Sequence, residues 1–204
     1  MNKYNDIRII GLTGKAGSGK DTAADYLVNT RGWVKTAFAK PLKDMCIQYL
    51  GLSEEDVYTQ EGKMRYNSFW GMTNREILQK VGTDAFRNGF NHETWVKITE
   101  IQVKKMLEEG KKVVISDCRF DNEAEMIERL GGIVFEIKRN DNQFELIGDE
   151  KSHISESGIN KKLITKEIDN NKDIATFTKL LSNSIYNFEH KNQEFLEYAN
   201  NFIE

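Results

Sequence analysis

Residues 14–20 read Gly-Lys-Ala-Gly-Ser-Gly-Lys, the spacing Gly-x4-Gly-Lys. Glycines take backbone angles closed to other residues, so successive N–H groups can turn inward and cradle an anion. The N-terminus of a following helix adds positive potential, and Lys20 reaches toward the β- and γ-phosphates of a nucleoside triphosphate as a point charge. A glycine-rich turn with a surface lysine is the competing reading, but it leaves unexplained the apolar run before the turn and the helical pattern after it. The general motif places a Ser or Thr that binds Mg²⁺ after the lysine. Here Asp21 stands there, with Thr22 behind it. Asp21 either holds the ion through water or caps the helix, and both readings stay open.

A second group ends an apolar run, Val113-Val114-Ile115-Ser116-Asp117-Cys118-Arg119. Ligands of open parallel sheets bind beyond the strand C-termini, so Asp117 and Arg119 are expected to face the phosphate loop. There Asp117 orients hydrated Mg²⁺ or a substrate group, and Arg119 grips phosphate bidentately. A structural Asp–Arg pair is the alternative. The third group is Gly82-Thr83-Asp84-x-x-Arg87 with Trp95. Arg75, Gln79 and Arg87 recur at intervals of four and eight, which on one α-helical face gives donors and acceptors for a nucleotide, or a solvated surface. Trp95 is either core or a stacking platform. His153 touches phosphate or solvent, while His92 and His190 read as surface.

Such groups need strands that end at one edge of a sheet. Residues 7–12 are apolar and read as a buried strand, followed by the turn and a helix over 21–29 whose inner face holds Ala23, Ala24 and Leu27. Residues 34–38 read as a short strand, and Pro41 suits the first turn of the next helix. Ser53 with Asp56, and Thr73 with Glu76, have capping-box spacing, the second opening a helix with Ile77, Leu78 and Val81. A helix over 94–109 stops at Gly110. Strands follow at 112–117, 133–138 and 163–168, with helices at 122–130 and 174–186, and an acidic amphipathic tail at 187–204. Residues 139–160 are polar and without period, and such a long stretch points to function or disorder. Strands alternating with helices predict an α/β fold with a parallel sheet and helices on both faces.

The totals narrow the function. In 204 residues, 39% are hydrophobic and 30% charged, ordinary for one soluble domain, and the formal charge of −3 argues against a nucleic-acid partner gripped through its phosphates. No apolar run approaches about 18 residues, so no membrane partner or leader is expected. Cys46 and Cys118 are far apart and fit a reducing, cytoplasmic setting.

Several blocks resemble the deoxynucleoside monophosphate kinases of phages. They are Gly-Lys-Ala-Gly-Ser-Gly-Lys-Asp-Thr-Ala-Ala-Asp-Tyr (14–26), Leu-Gln-Lys-Val-Gly-Thr-Asp (78–84) with Trp-Val-Lys (95–97), and Ser-Asp-Cys-Arg-Phe-Asp-Asn-Glu (116–123). Gly-Gly-Ile-Val (131–134), His-Ile-Ser-Glu (153–156) and Ile-Asp-Asn-Asn (168–171) continue the series in the same order. The resemblance implies a three-layer P-loop fold of adenylate-kinase type, with a five-stranded parallel sheet flanked by helices in a single domain over 1–204. It implies a helical acceptor-binding region at about 50–100 and a lid at about 139–160. Its cofactors are ATP and Mg²⁺, its acceptor is a deoxynucleoside monophosphate, and the assembly is a homodimer in the cytoplasm, that of the infected host if the gene is a phage's. Donor binding falls to Gly14, Lys15, Ala16, Gly17, Ser18, Gly19, Lys20, Asp21 and Thr22. Substrate binding falls to Phe38, Lys40, Arg75, Gln79, Thr83, Arg87 and Trp95, together with Asp117 and Arg119. Lys20, Asp117, Arg119 and Arg139 are the catalytic set, Arg139, His153 and Glu156 belong to the lid, and Mg²⁺ meets Asp117 or Asp21 through water. The region between Leu50 and Thr73 and the tail after Tyr186 depart from the family pattern. A kinase of phosphomevalonate or dephospho-coenzyme A type, and a non-catalytic nucleotide-binding module, are the competing functions.

Overall fold

The first strand, β1 (Ile9–Thr13), is buried along its whole length in the computed structural model, which describes residues 7–140 and 158–200. A continuous apolar run is what a strand covered on both faces requires. It pairs in parallel with β5 (Val113–Ile115) on one side and with β6 (Ile133–Lys138) on the other. β2 (Val34–Thr36) extends the sheet beyond β5, and β7 (Lys166–Asp169) extends it beyond β6. The order is β2-β5-β1-β6-β7, the five-stranded parallel sheet expected. β1 has strands on both sides, and ligands of such open parallel sheets bind beyond the strand C-termini.

Two helical layers cover this sheet. Ile10 and Leu12 join Ala23, Ala24 and Leu27 of α1 (Lys20–Arg31) in one core, with Phe177, Leu181 and Ile185 of α8 (Ile174–Asn200) at intervals of four. The other face of β1 meets α7 (Asp121–Arg129), whose Ile127 lies against Gly11. The alternation follows from the two-residue period of a strand. α8 continues well past the expected 186, because no glycine or proline interrupts it. The last strand begins at Lys166 rather than 163, since Lys161–Leu163 forms a 3₁₀ turn whose Lys162 N–H donates to the Asn160 side chain.

The chain divides into two compact units, and the stretch at about 50–100 expected to bind the acceptor lies within the second. The sheet unit runs to Thr36 and resumes at Val103, and the second unit is Ala37–Gln102. The second begins early because α2 (Lys40–Leu50), opened by Pro41, belongs to its core: Cys46, Leu52, Val57 and Ile77 form the centre, with Leu42, Ile47 and Leu50 packed against it. α3 (Glu54–Tyr58), α4 (Gln60–Met64), a hairpin of β3 (Tyr66–Asn67) and β4 (Met72–Thr73), and α5 (Asn74–Gln79) follow. A π-helical stretch, Lys80–Asn88, then leads to α6 (Thr94–Glu108). The hairpin has only two residues in each strand, too short for a period to show.

Both capping boxes form. Thr73 Oγ1 accepts from Glu76 N at 3.2 Å and Glu76 Oε2 accepts from Thr73 N at 2.7 Å. Asp56 Oδ2 accepts from Ser53 N at 2.9 Å, so the shorter carboxylate does reach back. That bond, aided by Arg65, holds the Asp56 carboxyl below its ordinary value of 3.8. A depressed carboxyl contributes stability that is complete above its ordinary value and is lost as pH falls through the folded one. Asp56→Asn is therefore expected to lower Tm at neutral pH, with the gap to wild type closing below about pH 3.8. A gap constant from pH 7 to pH 3 would show that charge is not its source.

Candidate active site

The turn after β1 has the geometry of an anion cradle. Gly14, Gly17 and Gly19 have φ of 135°, 73° and 103°, angles that L side chains rarely adopt. Ser18 N–H donates to Lys15 O at 3.2 Å, which closes the turn. Gly19 is the N-cap of α1 and no side chain supplies a cap bond, so the cap reading of Asp21 is corrected: glycine at the N-cap leaves Asp21 in the first turn. The side chain of Asp21 points instead to Lys35 of β2, 2.9 Å away, and Lys35 also holds Asp25 at 2.8 Å. Burial works against the Lys35 charge, but its hydrogen bonds to Asp25 and Asp21 outweigh that and raise its pKa. Lys20 Nζ donates to Gly14 O at 2.7 Å and to Lys15 O at 2.8 Å, which draws the ammonium across the loop. Ser18 Oγ is buried and makes no hydrogen bond.

Parallel pairing brings the ends of all five strands to the same edge. Beyond β5 the chain turns through Ser116 and Asp117, with Ser116 N–H donating to Thr36 O and Cys118 N–H to Leu12 O, both at 3.1 Å. Asp117 is half-buried and Arg119 exposed. Buried Glu123 in the first turn of α7 accepts from Arg119 N at 2.7 Å and Phe120 N at 3.2 Å, which sets the backbone carrying Arg119. Arg139 follows β6 at this edge and is exposed. His153 and Glu156, with most of the expected lid, lie outside the described residues.

Arg75, Gln79, Thr83 and Arg87 all lie in the second unit. α-Helical bonding ends at Gln79, and beyond it Gly89 N–H donates to Asp84 O and Asn91 N–H to Phe86 O, five residues back. The single α-helical face expected for Arg75, Gln79 and Arg87 is thus corrected, because a π-helix turns through more residues than an α-helix. Arg75 Nη2 donates to Gln60 Oε1 at 3.2 Å, Gln79 is exposed, and Thr83 and Arg87 are half-buried. Trp95 is 4% exposed, packs on Phe86 at 5.1 Å and donates from Nε1 to Gly82 O at 2.9 Å, so its ring is spent on packing. Phe38 is buried, and Lys40 pairs with Asp44 one turn on, which raises its pKa.

Sequence reasoning assigns no role to three residues of the site, Lys35, Glu123 and Asn170, although the last two lie within the blocks 116–123 and 168–171. Asn170 Nδ2 donates to Ser18 O at 2.8 Å across 152 positions of chain, a separation at which no spacing rule operates. Among the described residues no three His, Cys, Asp or Glu side chains converge. The carboxylates of Asp21, in the first turn of α1, and Asp117, beyond β5, are oxygen donors of the kind that a magnesium ion held mainly by substrate phosphates and water would use. Among the described residues no helix is long and apolar enough to cross a membrane.

Residues 58–181 match the family model described as Deoxynucleotide monophosphate kinase. A protein of Acanthamoeba polyphaga mimivirus, named as a deoxynucleotide monophosphate kinase, is 36% identical over 199 residues, covering 90% of this chain and 99% of its own. The Deoxynucleoside-5'-monophosphate kinase of Escherichia phage T5 is 25% identical over 248 aligned positions, covering 88% of this chain and 95% of its own. Among solved structures, dephospho-CoA kinase from Campylobacter jejuni superposes with a TM-score of 0.53 at 15% identity, covering 91% of this chain and 98% of that one. At that identity the likeness speaks for the P-loop kinase fold alone.

Proposed function

The chain belongs to the deoxynucleotide monophosphate kinase family, and on that footing we propose that it passes the γ-phosphate of ATP to a deoxynucleoside monophosphate. An acceptor phosphate oxygen forms a bond to Pγ as the bond from Pγ to the β–γ bridging oxygen breaks, giving a deoxynucleoside diphosphate and ADP. The acceptor is already an anionic nucleophile near neutral pH, so no general base is required, and the work left is positioning and neutralisation of charge. The observation that carries the reading is the glycine cradle with Lys20 drawn across it, in a part of the chain separate from the 58–181 family match.

Within the sheet unit, the N–H groups of the Gly14–Gly19 turn hold the donor phosphates, and Lys20, Arg119 and Arg139 offset the charge on the transferred group. Asp117 or Asp21 would hold Mg²⁺ through water, and the ion would supply further positive charge to offset that on the phosphates. The second unit is assigned the acceptor, through Arg75, Gln79, Thr83 and Arg87. A homodimer belongs to the reading through the family resemblance.

A panel of dTMP, dGMP, dCMP and dAMP, with dephospho-coenzyme A and mevalonate phosphate beside them, tests the reaction through coupled ADP release. At least one deoxynucleotide is expected to be turned over ahead of both other acceptors. ADP release with either of those alone overturns the reading. For the acceptor assignment, Arg87→Ala is expected to raise KM for the deoxynucleotide about tenfold or more, as loss of a charge-assisted hydrogen bond implies. KM for ATP should stay within about twofold. Equal shifts in both would return Arg87 to solvated surface.

A further inference from the structure

Asn170 lies just beyond β7, is 8% exposed, and makes two bonds that meet at the donor edge of the sheet. Its N–H donates to Lys138 O at 2.8 Å, which ties the end of β7 to the end of β6 next to Arg139. Its Nδ2 donates to Ser18 O at 2.8 Å, inside the phosphate loop. Contact with the loop is close: a Cβ added to Gly19 would stand 2.3 Å from Nδ2. Gly19 thus meets two demands at once, a φ of 103° and room for this amide.

The consequence follows from the peptide plane. Ser18 C=O and Gly19 N–H belong to one planar trans peptide, in which carbonyl and N–H point in opposite directions. A carbonyl drawn toward Asn170 therefore turns the Gly19 N–H away from it. We propose that Asn170 is a positioning residue for donor binding, which fixes the Ser18–Gly19 peptide so that the Gly19 N–H faces the phosphates of ATP. The inference rests on the reading of the loop as the ATP site, and the amide acts through the loop rather than by touching the nucleotide.

Asn170→Asp keeps the shape but replaces the donor with a carboxylate that repels the Ser18 carbonyl. Asn170→Ala removes the amide, and it carries the test if the aspartate variant does not fold. Losing one hydrogen bond while leaving a buried carbonyl unpaired is expected to raise KM for ATP about tenfold in either variant, with KM for the deoxynucleotide within about twofold. The dissociation constant of ATP, measured by calorimetry with no acceptor present, should rise by the same factor. That arm holds even if the acceptor has been misassigned, so the two failures are distinguishable. A lower Tm with both KM values unchanged, parallel rises in both, or an unaltered ATP dissociation constant would reduce Asn170 to a packing residue and overturn the proposal.

Discussion

Lys20→Ala is expected to lower kcat about a hundredfold or more. Removing one preorganised charge from a site where charge develops costs about 2.7–4 kcal/mol of transition-state stabilisation, by analogy with an oxyanion donor. The same lysine also donates to Gly14 O and Lys15 O, so a purely structural account competes: a staple that keeps the loop in shape. Magnitudes and kinetics separate the two. Two bonds between a charged group and partly solvated carbonyls contribute about 1–3 kcal/mol to stability, and their loss would show in Tm and in KM for ATP. Transition-state charge shows in kcat at saturating ATP. The fold should survive, since Gly14 is only half-buried, Lys15 is exposed, and water can satisfy both carbonyls. A folded Lys20→Ala protein with near-normal kcat and a raised KM would leave only the staple.

Gly14→Ala should damage the same site by a different route. With φ at 135°, this position lies outside the angles open to alanine, and an added Cβ would stand 2.4 Å from Ile137 O, a backbone atom of β6. That contact cannot relax cheaply, because Ile137 is paired within a sheet flanked on both sides. Backbone strain of about 1–3 kcal/mol adds to overpacking of about 1–3 kcal/mol, so a loss of about 2–6 kcal/mol in stability is expected. ATP affinity should fall at least about tenfold, since a displaced loop no longer aims its N–H groups together. Gly110→Ala provides the comparison. Gly110 also has a positive φ, 79°, but nothing stands within 4 Å of its added Cβ, so strain alone should cost about 1–2 kcal/mol. Equal Tm losses in the two variants, with ATP affinity intact in both, would remove the loop from the site.

What the sequence by itself determined is the part governed by near neighbours along the chain. The Gly14–Lys20 spacing, the alternation of strands and helices, β6 at 133–138, the inner face of α1 and both capping boxes rest on interactions within a few residues. Periods of 2 and 3.6 and the reach of a Ser, Thr, Asp or Glu side chain make these legible. The limits of that reasoning show after Gln79, where α-helical counting through Arg87 assumed a geometry that the π-helix does not keep. The tertiary structure decided what depends on register and close packing between distant segments. It paired Asp21 with Lys35 instead of a helix cap, and it buried Trp95 with its N–H on Gly82. It also set Glu123 under the backbone of Arg119 and brought Asn170 to Ser18. A planar backbone and alternating side chains dictate which residues can meet at the end of a parallel sheet only once strand order is known. That order, with β1 between β5 and β6, is a property of the whole folded chain.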